Sequence, residues 1–93
     1  MKAYRISIKE SYEFNVLFKD LYFDNIPEIN VFRKALKENI INTYAYLFED
    51  LMVFVKDALK YIQPDIDCKS CEETIDDIRF VFMIEKIEIY SAY

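Results

Sequence analysis

Between Lys2 and Lys9 apolar and polar side chains alternate, with Tyr4, Ile6 and Ile8 on one side and Arg5, Ser7 and Lys9 on the other. A period of two belongs to a strand that buries one face, so the spacing predicts a strand here. Ser11–Phe23 carries two patterns at once. Phe14, Leu17, Phe18 and Leu21 recur at helical intervals behind a capping Ser11, whereas Phe14, Val16 and Phe18 alternate with Glu13 and Asn15. No glycine is present to turn the chain tightly back from the first strand, so the helical reading is preferred.

Asp24-Asn25-Ile26-Pro27 reads as a stop and restart, with Asn25 able to cap and Pro27 suited to a first helical turn. From Ile29 to Ile62 an apolar residue recurs every three or four positions, and nothing from Glu28 to Gln63 is Gly or Pro. One straight helix of that length would reach roughly 50 Å at about 1.5 Å per residue, longer than a small domain is wide. A bend near Asn39–Asn42, giving a helix pair, is the compact alternative. Pro64 ends the helical stretch.

Ile78, Phe80, Phe82 and Ile84 then alternate, and after Glu85-Lys86 the apolar phase moves to Ile87 and Ile89. The shift predicts a hairpin turning at Glu85-Lys86, or a bulge in one long strand. The expected fold class is therefore α+β. A small antiparallel sheet, from the N-terminal strand and a C-terminal hairpin, packs on a long helix or helix pair in a single domain, residues 1–93.

Composition sharpens this. Of the 93 residues 54% are hydrophobic, above the usual roughly 45–50%. Ile40–Val55 alone holds 12 apolar residues among 16, spread beyond one stripe. Tyr44, Tyr46, Leu47, Phe48, Leu51, Met52 and Phe54 form the expected face of a homodimer, since interfaces favour Tyr, Phe and Met and shed charge. A simple core is the competing reading of the same residues.

The absences exclude chemistry. Without Gly there is no phosphate-cradling loop, no dinucleotide fingerprint and no nucleophile elbow. Without His there is no Ser-His-Asp triad, no Cys-His pair and no imidazole metal ligand. No catalytic residue, metal ligand, cofactor or small-molecule substrate is assigned, and the chain is expected not to be an enzyme. Met1–Lys9 alternates rather than forming an apolar block, and Ile40–Val55 is too short and too polar to span a bilayer. The expectation is a cytoplasmic protein that does not enter a membrane.

The net charge of −5 is unevenly placed. Pro64–Asp77 holds six of the 17 acids (Asp65, Asp67, Glu72, Glu73, Asp76 and Asp77) and one of the 12 bases, so the remainder of the chain is neutral. A solvated acidic loop is the plain reading. The sharper one is a docking patch for a larger protein with a basic surface, because such patches speed encounter and set orientation. A cation site is weakened by Lys69 and Ser70, which stand where a calcium loop needs an oxygen ligand and a glycine.

Cys68-Lys69-Ser70-Cys71 admits a local staple or inert thiols, a metal site shared by two chains, or redox chemistry. Arg33, Lys34 and Lys37 form the one basic cluster, beside Glu28 and Glu38, and read as a salt-bridged solvated face. Three helical pieces followed by a hairpin resemble winged-helix order, with Glu85-Lys86 as the wing tip, which would make the chain a DNA-binding regulator. Nucleic acid is nonetheless an unfavoured partner, because the charge is concentrated with the wrong sign.

The wealth of Ile, Tyr, Lys and Glu without any glycine resembles small open reading frames of AT-rich viruses and other mobile elements. That resemblance implies a small accessory or inhibitor protein that blocks a host component, in the host cytoplasm if viral.

Overall fold

The computed structural model describes residues 2–11, 18 and 20–88. Four strands, β1 (Lys2–Glu10), β2 (Leu21–Phe23), β3 (Cys68–Ile75) and β4 (Ile78–Glu88), form one antiparallel sheet in the order β2-β1-β4-β3. Two helices, α1 (Ile29–Asn39) and α2 (Phe48–Lys60), and a 3-10 helix at Asn42–Leu47 connect β2 to β3. The fold is α+β, with the N-terminal strand and the C-terminal hairpin packed against a helix pair.

The alternation in β1 does what a period of two requires. Tyr4, Ile6 and Ile8 meet Phe80, Phe82 and Ile84 on one face, and all six are buried. The helices cover this face: Phe54 of α2 stands edge-on to Phe82 at 6.2 Å, and Tyr44 of the 3-10 helix stands edge-on to Phe80 at 6.1 Å. Phe32 of α1 reaches Phe18 and Phe23 at 6.4 and 6.3 Å between ring centres, closing the β2 side. Each such side chain contributes about 1.5–3 kcal/mol through burial, so the sheet–helix interface carries most of the stability.

The helical stretch breaks where the bend was expected. Ile40 and Ile41 are extended, after the Asn39 side-chain amide has donated to the Ala35 carbonyl at 2.7 Å. Neighbouring β-branched residues and asparagines favour leaving the helix there. The 3-10 geometry that follows eclipses positions three apart, which turns Tyr44 and Leu47 together into the core and leaves Tyr46 outside.

Two expectations are corrected. Leu21–Phe23, the end of the segment read as helical, is a strand paired with Tyr4–Ile6; residues 12–17 and 19 lie outside the described residues. Glu85-Lys86 is not a turn. Both residues lie within β4, Glu85 between Arg5 and Cys68 and Lys86 opposite Tyr4, in a register unbroken from Lys2↔Glu88 to Glu10↔Phe80. The apolar phase shifts because β4 is apolar on both faces: Ile84 points to the helices, and Ile87, with Val81 and Met83, to the other side. The hairpin turn is Asp76-Asp77, where both residues have positive φ, 51° and 63°. Positive φ at both central positions belongs to the turn that matches strand twist, and Asp is among the few residues besides Gly and Asn that tolerate it.

Candidate functional site

β3 is an outer strand of the sheet, and the ladder fixes which of its backbone groups are free. Lys86 N–H donates to Asp67 O at 2.7 Å, and Ser11 N–H donates to Arg79 O at 2.8 Å. Hydrogen-bonding direction alternates along a strand, so even-numbered residues of β4 bond to β3. Lys69, Cys71, Glu73 and Ile75 therefore direct their backbone groups to β4. Cys68, Ser70, Glu72 and Thr74 direct theirs away from it, where no described strand pairs with them.

Beside this edge runs a groove of about 200 Å³ between β3 and α2. Phe54, Asp57 and Ala58 line it from one face of α2, and Tyr61 from the residue that caps its C-terminus; Lys69, Cys71, Glu72 and Glu73 line it from β3. Phe54 and Ala58 are buried and make an apolar floor, whereas Asp57, Glu72, Glu73 and Tyr61 stand exposed at the mouth. Lys69 Nζ lies 3.4 Å from the Tyr61 carbonyl, which it caps. A second concavity, of about 420 Å³, is lined by Glu72, Glu73, Thr74, Asp77 and Arg79. The two share Glu72 and Glu73, so together they follow the free edge towards the turn.

The six acids singled out in the sequence are all exposed, yet they form a line rather than a single cluster. Asp65 and Asp67 precede β3, Glu72 and Glu73 lie on its opposite faces, and Asp76 and Asp77 make the turn at its far end. Eight residues of strand separate the two ends by about 25 Å. Arg79 pairs with Glu72 where both side chains are exposed, so that pair stabilises little, and half-buried Lys86 lies 4.0 Å from exposed Asp67. Asp57 and Glu73 form no ion pair among the described residues.

At the turn, the Tyr46 phenol is held above its ordinary pKa. Desolvation of the hydroxyl leads, followed by the negative charge of Asp76, which accepts its hydrogen bond, and by the charge of Glu10. Tyr46 as a residue is 65% exposed. Tyr44 donates to Glu10 Oε2 at 2.7 Å, so the 3-10 helix is tied to the sheet beside the hairpin.

Cys68 and Cys71 are free thiols three strand positions apart, hence on opposite faces: Cys68 lies across from Glu85, and Cys71 lies across from Phe82 beneath α2. A local staple is thereby excluded. Among the described residues no three of Cys, Asp and Glu converge as a metal site. Of the expected dimer face, Tyr44, Leu47, Leu51, Met52 and Phe54 are buried in the core of one copy, Phe48 is half-buried and Tyr46 is exposed. Arg33 pairs with Glu49 and lies 5.1 Å over the Phe48 ring, so it ties α1 to α2. The wing tip of the winged-helix reading falls inside a paired strand, and the turn that does exist is acidic.

Sequence reasoning missed Asp57, Tyr61 and the free edge itself. The α2 residues were legible in principle as one helical face; the edge was not, because strand order is set by contacts distant in sequence. No helix among the described residues is long and apolar enough to cross a membrane. No protein-family model matches the sequence, and neither a curated protein nor a solved structure is similar to it.

Proposed function

We propose that this chain is a non-enzymatic protein-interaction module that docks on a larger protein with a basic surface. The observation that carries the reading is the line of exposed acids along β3 and its two ends, the segment that carries the whole net charge of −5. Acids gathered on the open side of a sheet steer a cationic partner and fix its approach, and they repel polyanions. The chain acts by occupancy, with no bond made or broken. It fits a small accessory or inhibitor protein of a virus or mobile element that blocks a host component.

The test replaces Glu72, Glu73, Asp76 and Asp77 by their amides. Wild-type protein incubated with lysate of the cell in which it acts should retain a basic protein that salt releases. The fourfold variant should retain much less, and its residual binding should depend weakly on salt. Equal retention by the variant overturns the reading.

A further inference from the structure

We propose that β3 takes up an extended basic segment of the partner as a fifth strand, with alternate apolar side chains entering the groove against α2. The inference rests on the docking reading above and specifies its geometry.

Three features point the same way. The N–H and C=O groups of Cys68, Ser70, Glu72 and Thr74 face away from β4 and form a ready template for strand addition. The residues between them, Lys69, Cys71 and Glu73, face the helix side, so an added strand would set every second side chain over the same groove. The groove has an apolar floor at Phe54, Ala58 and Cys71, and acids at its mouth. A segment alternating apolar and cationic residues matches both.

Charge selects the occupant. A second copy pairing edge to edge would bring two strands and turns of the same net negative charge together, and with the register centred on Glu72 the two Glu72 side chains would stand directly opposite, where like charges are destabilising. The same acids that repel another copy attract lysine and arginine. Glu73 and Asp57 border the groove and neither is in an ion pair among the described residues, so they add to the negative field at its mouth, while Glu72 stands on the face to which the alternate cationic side chains point.

The test uses a fluorescent synthetic peptide alternating Lys and Val over about nine residues, and a control in which two central residues are proline. At low salt the Lys-Val peptide should bind, and hydrogen exchange should slow at the amides of Cys68, Ser70, Glu72 and Thr74. The proline control should bind roughly tenfold more weakly, because proline cannot donate to a ladder. Asp57→Lys with Glu73→Lys should weaken the Lys-Val peptide by roughly tenfold as well. Ser70→Pro, at a position whose N–H points away from β4, should keep the thermal midpoint and lose the peptide. Exchange in the wild-type protein is read without any variant. Equal binding of the two peptides with no edge protection overturns strand addition and leaves docking by charge in place. Failure of both peptides to bind at low salt overturns both readings. Edge protection in protein alone that grows with concentration overturns the inference in favour of a second copy.

Discussion

Cys68 and Cys71 lie on opposite faces of one strand, the first exposed across from Glu85 and the second half-buried across from Phe82. Three strand residues separate their Cα atoms by about 10 Å. A disulfide tolerates at most about 7 Å, so the two cannot join without unpairing β3. Both thiols should react with a thiol-specific reagent in the native protein, exposed Cys68 quickly and half-buried Cys71 slowly. Mild oxidation should leave the intact mass of the single chain without the loss of two hydrogens. That loss under native conditions would show that β3 is not a strand.

The turn at Asp76-Asp77 sets a non-glycine residue at positive φ twice in succession. Glycine reaches that region at no steric cost, whereas other residues are held there against a penalty. Asp77→Gly should therefore stabilise the protein by about 0.5–1 kcal/mol, raising the melting temperature by a few degrees, roughly 4 °C. Asp77→Val should lower it, because a branched Cβ clashes in that conformation. Calorimetry on both variants decides. A valine variant as stable as wild type would mean that the chain turns elsewhere.

That turn also shows what a sequence alone can and cannot give. The strand at Lys2–Lys9 was legible because its two faces differ in polarity, so the period itself declares which side is buried. The break at Asn39–Asn42 was legible from chain length against domain width. β4 misled because both of its faces are apolar, and the step from Ile84 to Ile87 looks the same whether the chain turns or runs straight. Asp76-Asp77 went unrecognised as a turn because two acids signal it less strongly than Asn-Gly, and their charge suggested a binding role instead. The charge concentration was legible by counting; its alignment along a free edge depends on β1 choosing β4 as neighbour, a pairing across most of the chain.

Tyr46 and Asp76 offer a pH-dependent check on the hairpin. The phenol is held above its ordinary value by desolvation and by the Asp76 carboxylate. A group whose pKa is raised on folding favours the folded state fully below its unfolded pKa, and that contribution fades as pH rises through the folded value. Asp76→Asn removes the charge, so the Tyr46 ring resonance should titrate at lower pH in the variant. Carbon-13 labelling of the tyrosine rings separates it from the other phenols. An unmoved midpoint would place Asp76 away from the Tyr46 hydroxyl.

The central apolar run invites a last test, of whether one copy suffices to hide it. Leu51 is fully buried beneath the sheet, so Leu51→Ala should leave a cavity and cost about 2–5 kcal/mol. Tyr46, exposed on the same run, should tolerate Ser with little change in melting temperature. A shared face between two copies would reverse part of this pattern, because Tyr46 would then be covered and its loss would lower the molecular weight in solution. Light scattering on wild type and Tyr46→Ser is expected to return the mass of one chain, 11.2 kDa, for both. A dimer that Tyr46→Ser dissociates would instead make this stretch an interface. The buried residues would then be its foundation, and the exposed tyrosine its contact.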